Sequence, residues 1–142
     1  MNFEEWKQRY GLTELTEKYI GQKEAWGEKE LHDTYEIQIK FKNGYEDKIN
    51  FYDSRYNTER GLKSENLKEL ALYSHLSDIG FLESEGIDQE DEYIEVFGDV
   101  ENPEPARKIY KESKRIENNF YKYFEEDNYY IMINELQEIF DF

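Results

Sequence analysis

Two histidines, no cysteine and 34 carboxylates define the chemistry open to this 142-residue chain. His32 and His75 supply too few nitrogen ligands, and no thiolate exists, for a zinc site of the usual kind. His75 lies three residues before Asp78, a helical spacing at which a carboxylate can orient an imidazole as a general base. The same spacing suits a histidine at a surface or helix end, so a small enzyme using this pair stands only as an alternative. Asp88-Gln89-Glu90-Asp91-Glu92 resembles the start of a calcium loop, but Tyr93 stands where an EF-hand loop needs glycine. Paired carboxylates of a glycosidase cannot be singled out among so many acids. P-loop, dinucleotide and nucleophile-elbow motifs are all lacking. The expectation is a non-enzyme with no metal and no cofactor.

Charge is the stronger signal. The formal net charge is -16, which repels nucleic acid and anionic membrane and attracts basic surfaces. Residues 83–104 hold 10 acidic and no basic residues, and residues 125–142 hold 6 acidic and none basic. Between them, Arg107, Lys108, Lys111, Lys114, Arg115 and Lys122 make residues 105–124 net positive. A small cationic strip inside an anionic chain is a poor trap for a polyanion, so these cations are expected to pair with the chain's own acids or with an acidic patch on a partner. The candidate partner-binding residues are Glu83, Glu85, Asp88, Glu90, Asp91, Glu92, Glu95, Asp99 and Glu101. As an ordered array they would engage the Lys and Arg that otherwise neutralise phosphates, with nearby Tyr and Phe as specific anchors.

The elements that position these groups follow from periodicity. Asn2 and Glu5 form a capping-box pattern for a first helix, with Phe3, Trp6 and Tyr10 on one face and Gly11 as its stop. Leu15, Tyr19 and Ile20 suggest helical turns within residues 13–26, interrupted by Gly21 and Gly27. Tyr35, Ile37, Ile39 and Phe41 alternate with polar residues, and Tyr45, Ile49 and Phe51 follow Asn43-Gly44, so residues 34–53 read as a β-hairpin. A three-residue loop with a bulge at Gly44 pairs Phe41 with Tyr45, Ile37 with Ile49 and Tyr35 with Phe51; it leaves Asp47 opposite Ile39 as a mismatch. A polar loop follows over residues 53–61. Ser64 then caps a helix buried through Leu72, Leu76 and Ile79, which ends at Gly80. Residues 93–97 suggest a further strand of the same sheet. Asn102-Pro103 opens a helix with Ala106, Ile109, Ser113, Ile116 and Phe120 inward. Residues 129–140 fit helical spacing, although 129–133 would serve as well as a buried strand. The expected fold is a single α+β domain over residues 1–142, with a small antiparallel sheet covered by helices.

In size, in the acidity of residues 83–104 and 125–142, and in aromatic content, the chain resembles the small acidic inhibitors made by phages and mobile elements, including anti-CRISPR and anti-restriction proteins. That resemblance implies a non-catalytic DNA mimic that blocks the nucleic-acid-binding surface of a CRISPR effector nuclease or related defence enzyme. The partner would then be a basic protein, with no direct contact to nucleic acid. An immunity protein neutralising a basic nuclease toxin is the alternative. Without a basic leader or a run of apolar residues long enough to cross a bilayer, the expected location is the cytoplasm of a bacterial host cell, away from membrane.

Overall fold

Apolar alternation between residues 35 and 51 builds the hairpin in the expected register. The computed structural model describes residues 1–24, 29–53 and 67–140. In chain order these form α1 (Phe3–Tyr10), β1 (Leu12–Glu24), β2 (Leu31–Phe41), β3 (Glu46–Asp53), α2 (Leu67–Ile79), α3 (Phe81–Ser84), α4 (Glu90–Phe97), α5 (Glu104–Tyr121) and α6 (Glu126–Phe140). The architecture is α+β, with a three-stranded antiparallel sheet in the order β1-β2-β3. Phe41 N–H donates to the Tyr45 carbonyl at 2.8 Å, and Gly44 N–H donates to the Phe41 carbonyl at 3.1 Å. Tyr35 faces Phe51, Ile37 faces Ile49, and Asp47 does lie opposite Ile39.

Two expected elements change type. Of residues 13–26, read as helical turns, 13–24 instead belong to β1, a 13-residue strand antiparallel to β2, and the other two lie outside the described residues. Thr13, Thr16, Tyr19 and Ile20 favour extended backbone, and the register shift between Tyr19 and Gly21 absorbs the glycine that would have broken a helix. The strand expected at 93–97 is the helix α4. Glu90, Asp91 and Glu92 fill its first turn, where carboxylates favour the positive end of the helix dipole. Tyr93 and Ile94 turn inward onto Leu82, Ile87, Ala106 and Tyr110, so their burial is against helices and not within the sheet.

Elsewhere the periodicity holds. Asn2 and Glu5 complete the capping box, and Gly11 ends α1 with φ 78°. Residues 129–140 are helical, with Tyr129, Met132 and Leu136 buried at three- and four-residue spacing. Asn102 does not cap α5 through its side chain; it pairs with Asp99 in a short bridge, and Pro103 leads directly into the helix. The expected cap at Ser64 and residues 54–61 of the expected loop lie outside the described residues.

Burial divides into two apolar clusters. The larger joins Trp6, the inward face of the sheet, α2 and α6. The smaller lies among α3, α4 and the start of α5. Helix α5 belongs to both, giving Ala106 and Tyr110 to the smaller and Ile116 and Phe120 to the larger. Buried polar ends find partners across the core: Trp6 Nε1 donates to the Met132 carbonyl at 3.2 Å, and the Tyr129 hydroxyl donates to the Leu76 carbonyl at 2.7 Å. Among the described residues no helix is long and apolar enough to cross a membrane.

Gly44 combines a left-handed backbone with a close side-chain approach. Its φ is 104°, and a Cβ there would meet the Tyr123 ring at 3.2 Å. Gly44→Ala is expected to cost about 1–2 kcal/mol, read as a lower urea midpoint with an unchanged slope.

Candidate functional site

The acidic segment is held out from the smaller apolar cluster. Leu82 and Ile87 are buried on either side of Glu83 and Glu85, and Tyr93 and Ile94 anchor α4 from beneath. Helical spacing then sends Asp91, Glu92 and Glu95 outward together, with Asp91 and Glu95 one turn apart. Asp99 and Glu101 follow in a turn closed by the Asp99–Asn102 bridge, where Glu101 N–H donates to Asp99 Oδ1 at 2.9 Å. Among the described residues no cation lies within ion-pair distance of Glu85, Asp88, Asp91, Glu92, Glu95, Asp99 or Glu101.

Two members of the expected set are drawn away. Glu90 accepts from Arg107 Nε at 2.6 Å and is neutralised within the molecule. Glu83 turns toward the start of α6, where its hydrogen bond and charge raise the pKa of the Glu126 carboxyl. The two acidic stretches of the sequence therefore meet at that point.

Three apolar side chains emerge among the unpaired acids: Val96 is 66% exposed, Phe97 46% and Val100 73%. The sequence reading passes over Val96 and Phe97 because it places residues 93–97 in a sheet, which would give one face of them a partner. The acidic first turn was the available signal for a helix with its own outward face.

Half of the basic strip acts as an internal counter-charge. Arg107 pairs with Glu90 and Glu104, Lys114 with Glu117, and Arg115 with Glu112 and Asp47. The last of these reaches a buried polar network. Asp47, with its side chain 4% exposed, accepts from Arg115 Nη1 at 3.0 Å and from the Lys48 N–H at 2.9 Å. Its other oxygen stands 3.8 Å from His75 Nε2, which shares a 2.7 Å hydrogen bond with the Tyr45 hydroxyl. Burial drives the His75 pKa down to about 4; Asp47 opposes this and Arg115 reinforces it. Asp47 is the residue that looked like a register defect. Its mismatch with Ile39 was the one sequence signal of this network.

No hydrogen bond joins His75 to Asp78. The imidazole is 2% exposed and engaged by Tyr45, so the alternative pair is not assembled and the histidine is buried near the end of α2 and not at the surface. Among the described residues no group of three or more His, Asp or Glu could hold a metal ion. The chain matches no family model, and neither a curated protein nor a solved structure shows significant similarity to it.

Removing Asp47 leaves Arg115 without its inner partner and His75 beside a void. Asp47→Ala is expected to cost roughly 2–3 kcal/mol, measured by urea unfolding. The pH dependence has two opposed parts. His75 titrates at 6.5 when unperturbed and near 4 in the fold, so its contribution is complete above 6.5 and is lost as pH falls through about 4. Asp78, although exposed toward a cleft, is raised from 3.8 to about 6 by desolvation from the protein around it, so its contribution is present below 3.8 and is lost as pH rises through about 6. In urea midpoints measured against pH, His75→Gln should flatten the acid limb. Asp78→Asn should raise the midpoint at neutral pH and not in strong acid.

Proposed function

We propose that the chain is a non-catalytic inhibitor whose acidic face occupies the nucleic-acid-binding surface of a basic enzyme, in the manner of a partial DNA mimic. A CRISPR effector nuclease or related defence enzyme in the cytoplasm of a bacterial host cell is the partner class proposed. The observation that carries this reading is the set of carboxylates at Asp91, Glu92, Glu95, Asp99 and Glu101, without ion pairs among the described residues, near exposed Val96, Phe97 and Val100. Carboxylates on a folded scaffold offer charge-assisted hydrogen bonds to the Lys and Arg that would otherwise hold phosphates. Charge of this kind mainly speeds encounter, whereas buried apolar anchors slow dissociation and select the partner. The exposed apolar trio also suits one tight cognate partner, which favours an immunity protein against a basic nuclease toxin as the second reading.

The test is binding and inhibition against a panel of CRISPR effector nucleases and nuclease toxins at low and high salt. Glu92→Lys with Glu95→Lys should slow association and reduce the salt dependence. Phe97→Ala should speed dissociation by tenfold or more while leaving association nearly unchanged. A panel member that still binds target DNA normally at saturating protein would count against the mimic mechanism for that enzyme. Inhibition unaffected by either set of substitutions would sink the assignment of this face.

A further inference from the structure

On the side of the molecule where β3, α2 and α5 converge, a cleft of about 640 Å³ opens between the strand and the two helices. That volume lies within the range of ligand-holding clefts. A recess of about 360 Å³ adjoins it and shares Asn50, Tyr52, Asp78, Glu112 and Ile116. Ile109 and Ile116 of α5 give the cleft an apolar wall, while Asn50 and Asp78 supply oxygen acceptors.

Asp78 is the unusual member. It occupies the last turn of α2, where the helix dipole is negative and where no basic residue offsets it. The side chain is open toward the cleft, yet the protein around it raises its pKa to about 6 by desolvation. Among the described residues it has neither a hydrogen bond nor an ion pair. Lys108 lines the same cleft without pairing with it, and Glu112 is already held by Arg115. A carboxylate at the negative end of a helix, partly desolvated by the protein and paired with no cation among the described residues, is stabilised by a cation that enters and binds it.

We infer that this cleft is a socket for an arginine or lysine side chain of the partner protein, its methylene arm along Ile109 and Ile116 and its charged end on Asp78 and the Asn50 amide oxygen. The elongated apolar wall suits an alkyl arm better than a bare metal ion, since oxygen ligands are too few here for coordination. This inference rests on the reading of the chain as a binder of basic proteins, but it concerns a surface separate from the exposed residues of α4.

The test uses the whole chain and two small probes, N-acetyl-arginine methylamide and its uncharged citrulline counterpart, in a ¹⁵N NMR titration at neutral pH. The arginine probe should shift the amides of Asn50, Ser74, Asp78 and Glu112 saturably and lower the Asp78 pKa. The citrulline probe should bind at least tenfold more weakly. Asp78→Asn, which is expected to fold with equal or greater stability at neutral pH, should abolish the difference between the probes. Equal binding of both probes, no saturable shift in the cleft, or shifts confined to residues 83–101 would overturn the socket. Those outcomes leave the acidic face to be judged by its own charge-reversal experiment.

Discussion

A buried carboxylate obliges the helices and the sheet to meet in one way. Asp47 lies in β3 on the face that packs the core, opposite Ile39, with its side chain 4% exposed. An unpaired charge in that position would cost several kcal/mol. Arg115 must therefore lie over the strand, which fixes the rotation of α5 about its axis. His75 and Tyr45 complete the surroundings, joining α2 and the turn of the hairpin to the same point. Asn119 and Asn43 extend the attachment, donating to the Glu46 and Tyr123 carbonyls, so the hairpin tip and the end of α5 are bonded at several places.

This attachment governs the acidic face at a distance. Helix α5 runs from the larger apolar cluster into the smaller, carrying Ile116 and Phe120 at one end and Ala106 and Tyr110 at the other. Tyr93 and Ile94 pack on that second end, and Arg107 ties it to Glu90. The outward direction of Asp91, Glu92 and Glu95 thus follows from the packing of α4 on α5. Arg107, Lys114 and Arg115 of α5 serve as internal counter-charges, two of them holding acids on other elements.

Legibility in the sequence varied with the range of the deciding interaction. The hairpin register was readable because side-chain period and turn chemistry act over a few residues: only a three-residue loop puts Ile37 opposite Ile49. The caps at Asn2 and Gly11 are equally local. Residues 13–24 and 93–97 take the other element type because their patterns are short and ambiguous, and the arbiter lies far away in the chain. For β1 it was pairing with β2, and for α4 it was the apolar surface of α3 and α5. Of the nine acids expected to form one array, Glu90 was lost to Arg107 and Glu83 to the neighbourhood of Glu126. Neither contact leaves a trace in spacing.

By itself the sequence determined the segregation of charge, the α+β character and the hairpin, because each depends on composition or on neighbours within a turn or two. Tertiary structure alone decided which carboxylates stay unpaired among the described residues, that Asp47 lies beside His75, and that Asp78 faces a cleft with no ion-pair partner among those residues. The reason is that electrostatics and desolvation depend on distance in space, and residues as far apart in the chain as Asp47 and Arg115 become neighbours only when the core closes.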